Sequence, residues 1–304
     1  MERLLDPYLK SGISLIRKSN YFEAPIPNDT AAIRANAYYF SQPEWAQEYL
    51  QYCHRSEHFR SRWLRATGPW DGKVVLDVGC GPGNVHATLG CRPQLLIGVD
   101  VAAGSLEIAA RQGYVAVLAD ARHLPFRSGF ADLVVVNASL HHCEDMSGVL
   151  REAARAVKPG GMLVTDHDPQ RSAWDFKGVA KLMWNARLAV YRVTRHSFHK
   201  SSNQQAWGLR TEIHHRPGDG VTSEFFKSVL SPLGFGVNVY PHNHETGAEV
   251  LEGCFGRAEL KYRLGNLLSG RRPDAAESAL SLMCVAMRGP ELSSVVSDPD
   301  RRGH

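Results

Sequence analysis

The stretch Val75-Leu-Asp-Val-Gly-Cys-Gly-Pro-Gly83 decides how this sequence of 304 residues folds. A short apolar run leads into three glycines at alternate positions, which is typical of a buried strand that turns sharply into a helix. Glycine tolerates positive φ and has no Cβ, so a ligand can lie directly against the backbone of such a turn. The segment therefore predicts a ligand-binding loop at the end of a strand.

Two common nucleotide-binding loops do not match this segment. A dinucleotide fingerprint that begins at Gly79 requires a small residue at Asn84, and one that begins at Gly81 requires a small residue at His86. The phosphate-binding P-loop is excluded because no Gly-Lys-Ser/Thr follows the glycines. A purely structural glycine turn is the remaining alternative to a ligand loop.

Strands and helices alternate from Lys73 onward. Continuous runs of β-branched residues and leucine, separated by helical stretches, indicate a parallel sheet covered on both faces. We expect an α/β fold with a doubly wound, seven-stranded, mostly parallel and Rossmann-like sheet, which binds ligands at the carboxyl ends of its strands. The predicted strands are residues 74–79, 95–100, 114–120, 132–138, 161–167, 236–242 and 279–289.

The chain divides into three parts with two insertions. One long helix is predicted over Ser41–Gly68, and an amphipathic helix over Trp174–Thr194. The tail is rich in Ser, Asp and Arg, which predicts disorder. The predicted parts are a helical N-terminal cap over 1–70, a ligand-binding domain over 71–289 with a lid insertion at 168–220 and a second insertion at 243–277, and a disordered tail over 290–304.

Composition is that of an ordinary globular protein, with 43% hydrophobic and 22% charged residues and a formal net charge of +4. This mild charge does not imply a nucleic-acid partner. No apolar run is long enough for a transmembrane helix, and the N-terminus lacks the pattern of a signal peptide, so we expect a cytoplasmic protein without membrane insertion. The six cysteines are scattered without a CxxC pair, which argues against disulfides and a structural zinc site.

Acidic residues end the two predicted strands that follow the glycine loop. Asp100 closes one strand, 17 residues after Gly83, where a carboxylate can accept hydrogen bonds from both ribose hydroxyls. Asp120 closes the next strand, where it can accept a hydrogen bond from an adenine amino group. An isolated strand-end Asp is usually a turn or cap residue. Two of them downstream of the glycine loop favour an adenosine-binding site.

At this point the sequence resembles the class I S-adenosylmethionine-dependent methyltransferases of the small-molecule type, which include the ubiquinone and menaquinone methyltransferases. The resemblance implies the Rossmann-like methyltransferase fold, the methyl-transfer activity and S-adenosyl-L-methionine as cofactor. It covers about residues 73–167 in the family's order and spacing. The matching segments are VLDVGCGPG (75–83), GVD (98–100), ADARHLPF (119–126), FADLVVVNASLHHCED (130–145) and LREAARAVKPGGMLVTD (150–166).

The resemblance also implies which residues bind the cofactor. The loop residues take the methionine and sugar part, the strand-end acids take the ribose and adenine, and the end of the fourth strand lies beneath the methionine. Asp77 is expected to attract the cofactor's ammonium group, directly or through water, or to bond the loop amides. The implied cofactor-binding residues are Asp77, Gly79, Gly81, Gly83, Asp100, Val101, Asp120, Ala121 and Asn137.

Methyl transfer from a sulfonium is an in-line displacement, and a base is needed only if the acceptor atom carries a proton. The candidate catalytic residues are His167, His142 and His141, which follow the fourth and fifth strands. Alternatives are a helix-entry role for the histidine pair and a capping role for the loop around His167. Further close histidine pairs lack a Cys or carboxylate pattern, so we expect no metal. These are His196 and His199, His214 and His215, and His242 and His244.

The lid insertion is rich in cations, which suggests that the methyl acceptor is a small molecule with a carboxylate or phosphate group. A solvated helix face is the alternative. The aromatic residues Tyr38, Tyr39, Phe40 and Trp45 are candidates to close the cofactor pocket or to bind the acceptor. The lid cations are Arg171, Lys177, Lys181, Arg187, Arg192, Arg195, Lys200, Arg210 and Arg216.

Three other functions compete with this hypothesis. A nucleic-acid methyltransferase usually has a motif such as Asn-Pro-Pro-Tyr after the fourth strand, whereas this chain has Asn-Ala-Ser-Leu at 137–140. A non-catalytic S-adenosylmethionine-binding protein would keep the same loop and acids. An α/β oxidoreductase is disfavoured by the missing third glycine. The sequence leaves open whether O, N, C or S is methylated.

Overall fold

The computed structural model describes residues 2–194, 201–214, 216 and 218–290. The predicted tail therefore lies, except for residue 290, outside the described residues. In the described part the α-helices are α1 (Glu2–Leu5), α2 (Ala31–Phe40), α3 (Pro43–Tyr52), α4 (Glu57–Thr67), α5 (Asn84–Leu89), α6 (Ala103–Arg111), α7 (Met146–Ala156), α8 (Gly178–Thr194), α9 (Ser202–Thr211), α10 (Ser223–Leu230) and α11 (Leu260–Leu268). The strands are β1 (Ile16–Arg17), β2 (Phe22–Glu23), β3 (Val74–Val78), β4 (Leu95–Asp100), β5 (Val115–Leu118), β6 (Ala131–Asn137), β7 (Val157–Pro169), β8 (Phe235–His242) and β9 (Ser281–Arg288).

All strands belong to one mixed sheet with the order β1-β2-β5-β4-β3-β6-β7-β9-β8. Strands β5, β4, β3, β6 and β7 are parallel, whereas β9 runs antiparallel to both β7 and β8. The expected mostly parallel α/β fold is confirmed. The strand order reverses at β3, so a crevice opens at the carboxyl ends of β3 and its neighbours β4 and β6.

The N-terminal region adds two short strands to the seven that the sequence predicts. Strand β2 pairs in parallel with β5, with Phe22 opposite Val117, and β1 pairs with β2. Leu5 and Phe22 are buried in the main core. The purely helical description of residues 1–70 is therefore incomplete. Two-residue strands are too short to produce a hydrophobic period, so the sequence pattern did not reveal them.

The single helix predicted over Ser41–Gly68 is wrong, because the structure has two helices there. Helix α3 ends at Tyr52, and His54 adopts a positive φ of 60°. The Ser56 hydroxyl then accepts a hydrogen bond from the Phe59 N–H and caps α4. A good N-cap residue in the middle of an apolar pattern thus restarts the helix.

Strand β3 shows why the centre of the sheet reads as a continuous apolar run. All five of its residues are buried. Leu76 faces a core formed with α7 and α10, and Val75 faces a second core formed with α4 and α6. Because helices cover both faces, neither set of alternating side chains reaches solvent.

The two insertions each supply helices. In the insertion at 168–220, α8 begins at Gly178, inside the predicted range Trp174–Thr194. Helix α9 packs against α2, with the Tyr38 and Trp207 rings 4.6 Å apart. The second insertion contributes α11, which packs against α8. Within the described residues, no helix combines the length and apolar character that crossing a membrane requires.

Candidate active site

The glycine loop leaves its backbone open at the carboxyl end of β3. Gly79, Gly81 and Gly83 all have positive φ, at 73°, 52° and 93°. A Cβ on Gly79 would lie 2.2 Å from the Ser139 Oγ, so this position has no room for a side chain. A Cβ on Gly81 would meet no atom within 4 Å, and Gly81 lines a pocket. The loop therefore exposes backbone to a cavity that a ligand can fill.

Asp100 fastens this loop to the end of β4. Its Oδ2 accepts a hydrogen bond from the Gly81 N–H at 2.9 Å, and its Oδ1 accepts one from the Ala102 N–H at 2.9 Å. Burial raises the pKa of the Asp100 carboxyl, and these N–H donors oppose that rise. Each carboxylate oxygen retains a further acceptor site, so Asp100 can still accept two ligand hydroxyls.

Asp120 and Asn137 line the same pocket, but they differ in how many hydrogen bonds their side chains already accept. Asp120 accepts side-chain hydrogen bonds from Arg122 and is 3.1 Å from the His123 Nδ1. Burial raises the pKa of Asp120, but the Arg122 bonds outweigh it and the pKa is lowered. The Asn137 Oδ1 is buried and has no partner among the described residues. An unpartnered buried acceptor is costly, which favours a ligand donor at Asn137.

The N-terminal region closes the pocket from the other side. The pocket is lined there by Phe40, Trp45 and Tyr49. The ring centroids of Phe40 and Trp45 are 4.5 Å apart, and those of Trp45 and Tyr49 are 4.8 Å apart. The Asn84 side-chain amide donates to the backbone carbonyls of Tyr49 and Cys53. This amide fastens the end of α3 to α5, directly after the glycine loop.

His142 faces the pocket in a fixed tautomer. Its Nδ1 is 2.9 Å from the Thr211 carbonyl at the end of α9, so Nδ1 carries the proton and Nε2 keeps a lone pair. Burial lowers the pKa of His142 to about 3, with His141 adding to the effect. Phe40 packs edge-on against the ring at 5.1 Å. The result is a neutral imidazole whose Nε2 can accept a hydrogen bond from a ligand.

His141 has a different environment from its neighbour. Its Nδ1 and its backbone N–H both lie within hydrogen-bond distance of the Asp168 Oδ1, at 2.9 and 3.0 Å. Burial raises the pKa of Asp168 to about 7. These bonds anchor the turn after β6 to the end of β7. They support a positioning role for His141 rather than contact with a substrate.

A buried ion pair lies at the end of β7. The Asp166 Oδ2 accepts from the Arg62 Nε at 3.0 Å, and neither side chain is exposed. The Asp166 Oδ1 is 2.6 Å from the His242 Nε2 and also accepts from the His167 N–H at 2.7 Å. Burial alone would raise the pKa of Asp166, but the charges of Arg62 and His242 hold it well below its usual range.

His167 stands at the centre of a group of rings beside this ion pair. Its ring centroid is 4.6 Å from His54 and 4.9 Å from His244, and its Nδ1 is 3.2 Å from the Asp166 Oδ2. Burial lowers the pKa of His167 and His244 to about 3, so both rings are neutral. His54 also lines the pocket and is hydrogen-bonded to the Tyr49 hydroxyl. The rings of His54, His167 and His244 are therefore polar and uncharged. Together with the cluster of Asp166, Arg62 and His242 beside them, they form the histidine wall, which lies next to the pocket.

Asp166, His167 and His242 place their ligand atoms within 4.8 Å of one another, a spacing that a metal ion can use. Both oxygens of Asp166 are already engaged, and the Arg62 guanidinium adds a positive charge in the same buried volume. A divalent ion there would add uncompensated charge. The absence of a metal stays a prediction. Of the other predicted pairs, His196, His199 and His215 lie outside the described residues.

Comparisons with known proteins agree with this geometry. Residues 76–165 match the family model described as a methyltransferase domain. The chain is 31% identical over 117 residues to a demethylmenaquinone methyltransferase of Thermobifida fusca, covering 36% of this chain and 50% of that protein. It is 32% identical over 138 residues to a tRNA (carboxymethyluridine(34)-5-O)-methyltransferase of Arabidopsis thaliana, covering 41% and 33%. The chain thus spans about a third to a half of these relatives' length.

Residues 76–165 are thus a methyltransferase domain, and the relatives that the chain resembles are methyltransferases. S-adenosylmethionine is the cofactor of such a domain. In fold, the chain is also similar to the Haemonchus contortus phosphoethanolamine N-methyltransferase 2, with a TM-score of 0.53, 15% identity, and coverage of 87% of this chain and 61% of that one. The open loop, the strand-end Asp100 and the unpartnered Asn137 Oδ1 suit a ligand with hydroxyl and ammonium donors.

The methyltransferase domain brings most of the predicted cofactor residues to one pocket, but not all of them. Asp77 is buried beneath the loop and accepts a hydrogen bond from the Tyr114 hydroxyl at 2.7 Å, and Gly83 faces the Tyr114 ring. Neither lines the pocket, nor do the candidate bases His141 and His167. The predicted residues that line it are Gly79, Gly81, Asp100, Val101, Asp120, Ala121, Asn137 and His142.

Sequence reasoning missed several residues of the site. Asn36, Tyr49 and His54 line the pocket although they precede every matched motif, and Arg62 reaches Asp166 from α4. The helical spacing of the apolar residues in this region is explained equally well by helix packing, so it did not indicate a binding site. The one local signal was Ser56, a strong N-cap that breaks the helix beside the pocket and leaves His54 in the intervening turn.

Proposed function

We propose that this chain transfers the methyl group of S-adenosylmethionine to a small-molecule acceptor. The observation that carries the proposal is the pocket where the glycine loop, Asp100 and Asn137 meet under the aromatic residues of α2 and α3. The relatives named above match this chain over a third to a half of their own length, so the proposal depends on the pocket. The pocket supports the proposal because the glycine-loop backbone is accessible there and the side-chain oxygens of Asp100 and Asn137 can still accept hydrogen bonds.

Each side chain then has a distinct role in cofactor binding. Asp100 would accept the ribose hydroxyls while it keeps the loop closed through Gly81. Val101 and Ala121 would flank the adenine, and Asn137 would accept from the ammonium end. Asp120 is engaged by Arg122, so the Ala121 backbone is the better partner for the adenine edge. Asp77 would act through the loop, because it lies beneath the pocket.

The bound cofactor supplies an activated methyl group, so the chain must position the acceptor and exclude water. His142 is the candidate base that lines the pocket, where its Nε2 lone pair can accept a hydrogen bond from the acceptor's nucleophilic atom. Because burial lowers its pKa to about 3, it suits an acceptor whose proton becomes strongly acidic as the new bond to the methyl group forms. His167 is the second candidate, because the Asp166 carboxylate partly offsets the burial that lowers the His167 pKa to about 3. His141 would keep the turn after β6 in place. The group with His54 and His244 would form the polar wall of the acceptor site.

An acid group on the acceptor is supported by a cleft next to the pocket. Arg210 and Arg216, two of the predicted lid cations, line this cleft together with Arg34. Ala32 and Glu144 line both the cleft and the pocket, so the two cavities share a wall. A molecule with its nucleophile at the methyl group can therefore place a carboxylate or phosphate near arginine.

Calorimetric titration of the full chain with S-adenosylmethionine, S-adenosylhomocysteine and NADPH tests the cofactor part. Asp100→Asn removes the charge behind two hydrogen bonds, so we expect about ten- to a hundredfold weaker binding of both adenosyl compounds. Asn137→Ala should weaken it less. Asp274→Asn, a surface control, should change nothing. Tighter binding of NADPH than of S-adenosylmethionine would refute the proposal.

Release of S-adenosylhomocysteine with candidate acceptors tests the catalytic part. With an acceptor identified in this way, Arg210→Gln or Arg216→Gln should raise KM about tenfold, because a charged hydrogen bond is lost. Arg171→Gln is the matched control, since Arg171 does not line the cleft. If neither cleft variant changes KM, the acid group is ruled out while methyl transfer stands.

A further inference from the structure

Helices α8 and α11 form a pair with an apolar outer surface. The pair is held together on its inner side, where the Trp184 and Tyr262 rings are 5.7 Å apart and Phe176 lies against Gly265. The outer residues recur at helical spacing on both helices. They define the α8–α11 face, which consists of Val179, Leu182, Met183, Val193, Leu260, Leu264, Leu267 and Leu268.

This face is a concentration of exposed apolar side chains. Of the 15 large hydrophobic side chains exposed in the described part of the chain, eight lie on these two helices, which have 17 and nine residues. Leu182 is 71% exposed and Leu260 is 74% exposed. Single exposed apolar residues are ordinary, but a contiguous group marks an interaction surface.

The charges around the face are mainly positive. Helix α8 contains no Asp or Glu between Gly178 and Thr194, and Lys177 and Lys181 are exposed at its start. On the α11 side the acidic residues Asp274 and Glu259 are already paired, with Arg263 at 3.0 Å and with Lys261 at 2.9 Å. The face is therefore an apolar stripe with a cationic border and little negative charge.

The apolar stripe and its cationic border favour one kind of binding partner over another. In a symmetric contact between two copies, the same surface meets itself, so the lysines at the start of α8 would approach cations of the partner copy. An anionic bilayer instead offers acyl chains to the leucines and phosphates to the lysines. Helix α8 extends about 25 Å at 1.5 Å per residue, which is enough to lie along a membrane surface.

We propose that the α8–α11 face binds the surface of membranes that contain anionic lipids, with both helices lying in the plane of the interface. The apolar side chains enter the boundary between headgroups and acyl chains, and Lys177 and Lys181 contact lipid phosphates. This attachment is peripheral and does not rest on the proposed methyl transfer.

Sedimentation of the full chain with large vesicles tests the proposal. Vesicles of phosphatidylcholine mixed with phosphatidylglycerol should bind the chain at least about tenfold more strongly than phosphatidylcholine alone, because each nearby cation strengthens binding several-fold. Added salt should weaken this binding. Equal binding to both vesicle types, or none to either, would overturn the proposal.

Variants locate the binding on the face. Leu182→Ser and Leu260→Ser should each weaken partitioning about tenfold, because each removes a leucine from the apolar contact. Lys177→Glu with Lys181→Glu should remove the preference for anionic vesicles. Leu233→Ser, an exposed leucine after α10, is the control and should bind as the original chain does.

Two further measurements keep the outcomes distinct. Sedimentation velocity without lipid should show a monomer, whereas a dimer that Leu182→Ser dissociates would mean that a second copy covers the face. Calorimetry with S-adenosylmethionine should give the same affinity for all face variants. Vesicle binding without cofactor binding would leave this proposal intact and refute only the proposed function.

Discussion

The cofactor side and the histidine wall of the site are built in different ways. On the cofactor side, Gly81, Asp100 and Asn137 stand at the ends of β3, β4 and β6, in chain order and within 56 positions of one another. In the histidine wall, Asp166 meets Arg62 and His242, which are 104 and 76 residues away. Adjacent strand ends thus bring residues together in the order of the chain, whereas helices and insertions bring residues from distant parts of the chain to the same site.

The buried carboxylates of the two sides are stabilised by different kinds of partner. Asp100 on the cofactor side is bonded to backbone N–H groups, which carry no net charge. Asp166 in the histidine wall is bonded to a fully buried guanidinium and to His242. A buried charge that loses its partner costs far more than a backbone hydrogen bond. Substitutions should therefore be most damaging in the histidine wall.

The largest effect is expected for Asp166→Asn. Asparagine keeps the shape but leaves the Arg62 charge buried without a countercharge, so the free energy of unfolding should fall by about 3–5 kcal/mol. Urea denaturation measures it. Asp274→Asn breaks the exposed pair with Arg263 and should leave the free energy of unfolding nearly unchanged, because water and salt screen that pair. Equal losses for both variants would show that the buried pair contributes no more than a surface pair.

A smaller effect is expected for Gly79→Ala in the glycine loop. Alanine at this positive φ costs about 1–2 kcal/mol, and its Cβ overlaps Ser139, so about 3 kcal/mol of unfolding free energy should be lost together with cofactor affinity. Gly90→Ala is the control, since Gly90 has a φ of 68° and no atom near the added Cβ. If both variants lose the same free energy, close packing against Ser139 does not matter.

The last effect depends on pH and concerns Asp77. Burial raises the pKa of Asp77 from 3.8 to about 7, so between these values the folded chain holds a proton that the unfolded chain releases. This carboxyl therefore lowers stability as pH rises, by up to about 1.4 kcal/mol per pH unit. Asp77→Asn should remove that contribution in denaturation curves between about pH 4 and 7. An unchanged slope would contradict the raised pKa.

Residues around β3 were predictable because their local pattern and their tertiary role coincide. Val75 and Leu76 are apolar because both faces of the sheet are covered, and the glycines follow because the loop must adopt positive φ. The helix break at Cys53–Arg55 was not predictable from apolar spacing, since Trp45 and Phe59 fit one continuous helix equally well. The capping bond of Ser56 decided it.

The sequence by itself determined the α/β class, the seven longer strands, the glycine loop and the acids that follow it. These features depend on residues near each other in the chain and on local backbone conformation. Only the tertiary structure decided that Arg62, Asp166 and His242 meet, that Asp77 lies beneath the pocket, and that α8 turns its apolar side outward. Those outcomes depend on contacts between distant segments, which no local hydrophobic period or turn signal specifies.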